Sequence, residues 1–159
     1  MDKFTGRVWV LGDDIDTDII IPTEYLALKT IDDMKQYGFS PLRPELAGQI
    51  QKGDIIVAGK NFGCGSSREQ APEIIKAMGV QCVIAKSFAR IFFRNSINNG
   101  LLLIEQPDLY DDMKEGDEIT VVMNEHVDYN GKEYSIASLP ENLMSIIQAG
   151  GLVKAMRKL

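Results

Sequence analysis

The stretch that decides the fold is DIIVAGKNFGCGSSRE, which occupies residues 54–69. Residues 54–58 end in the apolar run IIVA, which predicts a short buried strand. Residues 59–66 contain three glycines and predict a loop. Residues 67–78 have the apolar spacing of a helix, and Gly79 directly after them is typical of a helix C-terminus. The stretch therefore predicts a strand, a glycine-rich loop and a helix in that order.

The same alternation continues on both sides of this stretch. Residues 82–85 and 101–105 predict two further strands, and residues 88–98, which stop before Gly100, predict the helix between them. Upstream, RVWVL at residues 7–11 predicts another strand. Strands that alternate with helices of about ten residues are typical of crossover connections within a parallel sheet. We therefore expect an α/β fold with a mostly parallel central sheet.

The remaining segments add short helices and an antiparallel hairpin. Residues 12–18 predict a polar loop, and residues 23–28 and 31–37 predict two short helices. Near the end, residues 117–123 and 134–136 flank Asn130-Gly131, a strong signal for a tight hairpin turn. The segments that follow are a helix over residues 141–149 and, after Gly150-Gly151, a short basic helix.

Composition and charge narrow the class of protein. The chain has 159 residues, with 17 Lys plus Arg against 23 Asp plus Glu, and a net charge of −6. Domains typically contain ~100–200 residues, so we expect one domain over residues 1–159. The excess of acidic over basic residues argues against a nucleic-acid partner. No apolar run approaches the ~20 residues of a membrane span, and the N-terminus lacks the features of a signal peptide. We expect a cytoplasmic protein with no membrane partner.

The sequence lacks the residues that several kinds of catalytic or metal site need. Cys64 and Cys82 are the only cysteines, and two thiols cannot supply the four ligands of a structural zinc or an iron–sulfur cluster. His126 is the only histidine and falls in the hairpin region, so a Ser-His-Asp triad has little support. The sequence contains neither the P-loop motif GxxxxGK[ST] nor the nucleophile-elbow motif GxSxG. We expect this chain to bind no metal.

The glycine-rich loop has the residues of an anion site. Gly63 and Gly65 let the backbone bend sharply and let a ligand come close. Arg68 adds a cation that can bind a carboxylate through two hydrogen bonds, and Ser66 and Ser67 add hydroxyls beside it. A helix N-terminus at the same place would add partial positive charge. The pattern predicts a receptacle for a carboxylate.

A simpler interpretation is that the loop only caps a helix. Ser66 would then be the N-cap, and Glu69, three residues later, would complete a capping box. The two interpretations are compatible, because a capped helix end can still bind an anion. Two glycines, two serines and an arginine within six residues exceed what capping requires.

Three motifs in combination resemble a known superfamily. NFGCGSSRE at residues 61–69, KSFARIF at 86–92 and NNGLL at 98–102 resemble the swivelling β/β/α domain of the aconitase superfamily. GDDIDTDIIIP at residues 12–22 resembles the small subunits of 3-isopropylmalate dehydratase. The likeness runs through nearly the whole chain in order, and the length is similar to that of the free-standing subunit.

The resemblance implies an activity and a role for each matching residue. Members are hydro-lyases that isomerise malate-like acids, here 2- and 3-isopropylmalate in leucine biosynthesis. Ser66 would be the base that removes the proton next to a carboxylate, and Ser67 and Arg68 would bind that carboxylate. Thr17 and Asp18 would orient the serine or the substrate. The resemblance also implies a large catalytic subunit that carries the [4Fe-4S] cluster, so this chain would bind no cofactor.

A short segment bears on substrate choice. In relatives that act on tricarboxylates, the stretch matching Tyr25, Leu26, Ala27 and Leu28 resembles Tyr-Leu-Arg, and its arginine pairs with the distal carboxylate. Here Ala27 stands in place of that arginine. An apolar pocket cannot offset the free-energy cost of desolvating a third carboxylate. It can bury an alkyl group, which stabilises binding by ~0.8 kcal/mol per CH₂. The alternative is that these leucines belong to the core of a short helix.

Other activities remain open on the sequence alone. The chain could be the small subunit of 2,3-dimethylmalate dehydratase, of a citraconate hydratase or of a homoaconitase-like hydro-lyase. It could also be a non-catalytic module that binds an anion and regulates a partner. The expected ligand in all the enzymatic cases is a small hydroxy-dicarboxylate or a close analogue.

Overall fold

Strand β1, Lys3–Leu11, is the middle strand of a seven-stranded sheet and divides it into two unlike halves. The computed structural model describes residues 3–151 and Met156. The second half of β1, Val8 to Leu11, pairs in parallel with β2, while its first half, Lys3 to Arg7, pairs antiparallel with β5. The strand order is β4-β3-β2-β1-β5-β6-β7, with β2 Ile55–Ala58, β3 Cys82–Ala85, β4 Leu102–Glu105, β5 Glu118–Val122, β6 His126–Tyr129 and β7 Lys132–Ser135.

The parallel half of the sheet confirms the α/β prediction. Strands β1 to β4 pair in parallel, in the chain order that crossover connections produce. All four residues of β2 and all four of β3 are buried. Burial on both faces explains why these strands read as unbroken apolar runs in the sequence and do not alternate with polar residues.

The antiparallel half contains three strands where we expected a single hairpin. Asn130 and Gly131 have φ of +51° and +81° and join β6 to β7 in a two-residue turn, so the turn prediction is confirmed. The strand that pairs with β7 is β6, and residues 117–123 contribute β5, which lies one place further in, between β6 and β1. A two-residue turn pairs the strands directly next to it, which leaves no room for residues 117–123 as the partner of β7.

Helices pack against both faces of the sheet, and the starts of two of them differ from the prediction. The helix predicted from residue 67 begins three residues later, and the one predicted from residue 88 begins two residues later. A short helix also begins at Thr17, within the predicted polar loop over 12–18, and extends beyond it to Ile20. The helices are α1 Thr17–Ile20, α2 Ile31–Met34, α3 Leu46–Gln49, α4 Gln70–Ala77, α5 Arg90–Asn98, α6 Leu109–Asp112 and α7 Glu141–Ala149, with 3-10 turns at Thr23–Ala27 and Lys35–Tyr37.

Two apolar clusters lie on opposite faces of the sheet. Ile56 and Ala58 of β2 point into the cluster that α4, α5 and the N-terminal helices cover. Ile55 and Val57 point into the second cluster, which also contains apolar residues of β5, β6 and β7. The strict alternation along β2 is the two-residue period of a strand. The basic helix expected after Gly151 lies outside the described residues, and none of the described helices is long and apolar enough to cross a membrane.

A buried carboxylate joins β1 and β2 near the start of their parallel pairing. Asp54 is only 5% exposed, and its Oδ2 accepts hydrogen bonds from Trp9 Nε1 at 2.7 Å and from the Gln51 backbone N–H at 2.8 Å. Arg7 Nη2 lies 3.2 Å from the same oxygen. The guanidinium of Arg7 also lies 4.8 Å from the centre of the Trp9 ring, in a cation–π contact. This network anchors the end of the sheet that lies opposite the glycine-rich loop.

We expect Asp54→Ala to lower the free energy of unfolding by about 2–4 kcal/mol, because it leaves the buried Trp9 Nε1–H and the part-buried Gln51 N–H without their acceptor. Urea denaturation followed by tryptophan fluorescence measures the change. The matched control is Glu125→Ala, which removes an exposed carboxylate and should alter stability by no more than about 0.5 kcal/mol. Equal stability of the two variants would show that the Asp54 network contributes nothing.

Candidate active site

Hydrogen bonds from the first helix hold the glycine-rich loop in place. The Thr17 backbone N–H donates to the Cys64 carbonyl at 2.9 Å, and Thr17 Oγ1 donates to the Ser66 carbonyl at 2.7 Å. A third bond joins the Gly63 N–H to the Ile15 carbonyl at 2.7 Å. Strands β1 and β2 are parallel neighbours, so the segments that follow them emerge side by side at the same edge of the sheet. Residues 15–17 and 63–66 therefore form one connected structure.

Two glycines give the loop its path. Gly63 has φ of +84°, and a Cβ at this position would lie 2.2 Å from Cγ of Phe92 on α5. Gly65 has φ of +90°, in the left-handed region that side chains disfavour. At Gly63, glycine is required both by the backbone conformation and by the close approach of the helix.

Arg68 lies at the mouth of the loop, but acceptors of the chain itself already surround it. Its Nη1 donates to the Ile21 carbonyl at 2.8 Å and its Nη2 donates to Thr23 Oγ1 at 2.9 Å. Nη2 also lies 2.5 Å from Oδ1 of Asp18. The side chain of Arg68 is 14% exposed and that of Asp18 is 66% exposed. The guanidinium is therefore fixed in position, and Asp18 is the acceptor that is easiest to displace.

A cleft of about 240 Å³ opens between the glycine-rich loop and the first turns of α5. Ser67 Oγ, on the loop side, accepts a hydrogen bond from Asn95 Nδ2 on α5 at 3.3 Å. The positive end of the α5 dipole and the guanidinium groups give the cleft a cationic lining. Its lining residues are Thr17, Gly63, Gly65, Ser67 and Arg68 on one side and Ala89, Arg90, Ile91, Phe92 and Asn95 on the other.

The structure brings most of the predicted site residues together. Thr17, Gly65, Ser67 and Arg68 line the cleft, and Asp18 contacts it through its ion pair with Arg68. Ser66 lies between two lining residues and is exposed. Among the described residues, none forms a hydrogen bond with the Ser66 hydroxyl, whereas its backbone carbonyl is bound by Thr17.

The segment expected to choose the substrate does not line this cleft. Tyr25, Leu26 and Leu28 are half-buried and pack against the apolar cluster on this face of the sheet, and Ala27 is exposed. The Tyr25 ring stacks on Tyr37, with ring centres 3.9 Å apart. These contacts agree with the alternative in which the leucines belong to the core. The 3-10 turn does begin at Thr23, the residue that binds Arg68, so the segment starts beside the cleft.

The capping interpretation of the loop is wrong. Helix α4 begins at Gln70, its N-cap position is Glu69, and no side chain caps it. Ser66 is therefore too far from the helix to cap it, because residues 63–66 are used in the bonds to residues 15–17. The helix terminus that borders the cleft belongs to α5, and its residues Arg90 and Asn95 were not predicted as site residues. The motif KSFARIF lies in this segment, but the local pattern does not show that the segment faces the loop, because the two are far apart in the chain.

The residues of this chain do not suit an iron–sulfur cluster. Cys82 is fully buried in β3, and Cys64 is half-buried in the loop. Among the described residues, the only metal-ligating types that gather are His126, Asp128 and Glu133, on β6 and β7. His126 Nε2 lies 3.1 Å from Asp128 Oδ1 and 3.5 Å from Glu133 Oε2. Such nitrogen and oxygen donors are not the thiolates that clusters require.

Comparisons with known proteins identify the family. A family model described as the aconitase C-terminal domain matches residues 19–109. The small subunit of 3-isopropylmalate dehydratase from Lachnospira eligens is 77% identical over 158 residues, which cover 99% of this chain and 96% of that protein. The corresponding small subunit from Heliobacterium modesticaldum is 51% identical, over 98% of this chain and 95% of that protein. The chain belongs to the family of 3-isopropylmalate dehydratase small subunits.

A solved structure of this family has the same fold. The crystal structure of 3-isopropylmalate dehydratase from Methanocaldococcus jannaschii superimposes with a TM-score of 0.92 at 39% identity, and covers 99% of this chain and 95% of that one. The mixed sheet and its antiparallel extension are therefore the fold of the family. The name small subunit, carried by the relatives, implies a larger partner subunit.

Cys64 lies in the loop but does not have the character of a nucleophile. Burial raises the pKa of its thiol, and the negative charges of Asp16 and Asp14 raise it further. The reactive form of cysteine is the thiolate, so a raised pKa reduces the reactive fraction near neutral pH. Among the residues of the site, Cys64 is thus best explained as a small side chain between Gly63 and Gly65.

We expect iodoacetamide to alkylate Cys64 at pH 8 more slowly than it alkylates cysteine in an unfolded peptide, and the rate to keep rising above that pH. Mass spectrometry of the intact chain measures the rate. The Cys64→Ser variant, which retains the buried Cys82, is the control for labelling at the second thiol. Labelling of Cys64 at the peptide rate or faster would contradict the raised pKa.

Proposed function

We propose that this chain is the small subunit of a hydro-lyase that interconverts 2-isopropylmalate and 3-isopropylmalate by dehydration and rehydration, in leucine biosynthesis. The observation that carries the proposal is the pair of Thr17 bonds, which hold Ser66 beside a cleft lined by Ser67 and Arg68. A free Ser66 hydroxyl beside groups that can bind a carboxylate supports this proposal. This is the geometry needed to remove a proton from the carbon adjacent to that carboxylate.

Ser66 is the proposed base. Its backbone is held at the carbonyl while its hydroxyl has no competing acceptor or donor among the described residues. A serine alkoxide is costly in water, and that cost falls where water is excluded and positive charge is close. Arg68 supplies the positive charge. Because Ser66 is exposed in the isolated chain, a second subunit has to cover it to exclude water.

Ser67 and Arg68 are the proposed binding groups for the carboxylate next to the reacting carbon. Asp18 already lies 2.5 Å from the guanidinium, so we propose that the substrate carboxylate takes its place or shares the cation with it. Ile21 and Thr23 keep the guanidinium oriented during the exchange. A cation held against the carboxylate also lowers the repulsion that opposes removal of the proton.

The Lewis acid is proposed to come from the partner. Two cysteines, one of them buried in β3, are an unsuitable donor set for a [4Fe-4S] cluster, and we assign the cluster to the large subunit. The chain described here then provides the base and the grip on the carboxylate. We place the assembled enzyme in the cytoplasm, where both cysteines would stay reduced.

We expect Ser66→Ala to reduce turnover of the reconstituted enzyme by roughly 10²–10⁴-fold, the usual contribution of a positioned base. The Michaelis constant and the affinity of the two subunits should change little, because the substrate carboxylate and the partner contact other groups. Steady-state kinetics with 3-isopropylmalate measure both parameters. Ser145→Ala, an exposed serine on α7, is the control and should leave turnover unchanged.

Normal turnover by the Ser66→Ala complex would overturn the proposed role of the serine. It would also favour the non-catalytic interpretation, in which the loop binds an anion and regulates the partner. Loss of subunit assembly in the same variant would instead assign a structural role to Ser66.

The substrate is proposed to be a malate with an apolar substituent, because Ala27 provides no charge for a third carboxylate. This feature fits 3-isopropylmalate and fits 2,3-dimethylmalate or a citraconate-type substrate equally. It does not fit a tricarboxylate such as homocitrate. Ala27 is exposed at the end of the 3-10 turn that starts at Thr23, so an arginine there could be accommodated without disturbing the core.

We expect Ala27→Arg to raise kcat/KM for homocitrate relative to 3-isopropylmalate by roughly tenfold or more, because a charged pair replaces an unpaired carboxylate. Competition assays on the reconstituted enzyme measure the ratio. Ala137→Arg, which places the same charge on an exposed position after β7, is the control. A ratio that is the same for the two variants would exclude this segment from substrate choice.

A further inference from the structure

A second and larger recess lies next to the proposed site. It is a groove of about 580 Å³ lined by α5, by Leu143 of α7 and by Glu105 at the end of β4. Phe93 contributes apolar surface, and Arg90 and Arg94 stand along the helix that borders it. We call it the arginine groove. Nothing in the proposed chemistry of the cleft uses it.

The two arginines of the groove have no partner within the described part of the chain. Neither guanidinium forms an ion pair or a hydrogen bond there, although the chain has 23 acidic residues against 17 Lys plus Arg. Glu105 is near, but its Oε1 accepts the Phe88 backbone N–H at 3.3 Å. Cations one helical turn apart repel each other, and Arg90 stands in the first turn of α5, where the helix dipole also disfavours a cation. Carboxylates from another molecule would relieve both effects.

The apolar surface beside the arginines is also uncovered. Ile91 is 61% exposed and follows Arg90 directly on α5. Phe88 and Phe93 are half-buried and pack edge-to-face with ring centres 5.9 Å apart. Exposed apolar surface combined with arginine and aromatic side chains is typical of protein–protein interfaces.

The groove and the cleft are continuous. Arg90 lines both of them, and Ile91 lies at the cleft. A protein bound in the groove would therefore extend over the cleft and reduce the access of water to Ser66. The exposure of Ser66 in the isolated chain requires such a cover if the serine is to act as a base.

We propose that the arginine groove, together with Ile91, is a docking surface for the large subunit, and that the segment bound there carries carboxylates opposite Arg90 and Arg94 and an apolar side chain against the aromatic wall. This inference rests on the proposed function, which supplies the large subunit as the partner. The same contact assembles the enzyme and closes the site.

The test is subunit affinity of charge-reversed variants. We expect Arg90→Glu combined with Arg94→Glu to raise the dissociation constant for the purified large subunit by roughly tenfold or more, because the partner's carboxylates would then be repelled instead of attracted. The effect should shrink as salt rises from low to high concentration. Lys114→Glu makes a like-signed charge reversal at an exposed residue before β5, beside the antiparallel half of the sheet, and should leave the affinity near that of the unmodified chain. Unchanged affinity of the double variant overturns the proposal.

A second pair of variants tests the apolar part of the surface. Ile91→Ser should weaken assembly, while Leu42→Ser, at another exposed apolar residue, should not. Circular dichroism establishes that each variant is folded. Equal affinities for the two serine variants would remove Ile91 from the interface. If charge reversal instead changes only the sedimentation of the small subunit alone, a second copy occupies the groove and the proposal is overturned.

Failure of this inference can be distinguished from failure of the proposed function. Arg94 lines the groove and not the cleft, so Arg94→Glu at saturating large subunit should restore normal turnover per assembled complex. Turnover that stays low at full assembly would contradict a pure docking role. Ser66→Ala, by contrast, should assemble normally and fail in turnover, and its outcome does not depend on the groove.

Discussion

The two hydrogen bonds made by Thr17 are the constraint on which the proposed site depends. They bind the carbonyls of Cys64 and Ser66 and so fix the glycine-rich loop to the segment that follows β1. Thr17 is buried, and its hydroxyl would be costly to leave unpaired, so the contact is strongly favoured. Because of it, residues 66–68 remain loop and present their side chains at the edge of the sheet. A loop free of this contact could extend α4 and turn the same side chains elsewhere.

The electrostatics of the site follow from the same arrangement. Arg68 is brought to the cleft by acceptors on residues 18–23, and its charge is balanced by Asp18. This keeps a partly buried cation from standing unpaired. The balance is incomplete one helix away, where Arg90 and Arg94 remain without a partner in the described chain. Within the described chain, the charge of Arg68 is thus paired at the loop, whereas the charges of Arg90 and Arg94 on the outer surface are not.

Local patterns predicted the parallel half of the fold well. The buried runs IIVA and CVIA are β2 and β3 with nearly the expected bounds, and α7 spans the predicted residues 141–149. Helix starts were less predictable. The apolar spacing predicts α4 from Ser67 with Ser66 as its cap, but the bonds to residues 15–17 hold residues 63–66 in the loop, and the helix begins at Gln70. Asp16, which caps α1 through the Ile19 N–H, was read as part of a polar loop because only four residues follow it in the helix.

The sequence by itself determined that this is an α/β protein of the aconitase superfamily type, with Ser66, Ser67 and Arg68 on a glycine-rich loop after a buried strand. The fold class and the loop depend on residue type and short-range spacing, which a single chain displays directly, whereas the superfamily follows from the resemblance of its motifs. Only the tertiary structure decided that α5 forms the other wall of the cleft, that Asp18 forms an ion pair with Arg68, and that residues 25–28 pack on the core. Each of these is a contact between segments far apart in the chain, and such contacts are set by how the elements pack and not by local pattern.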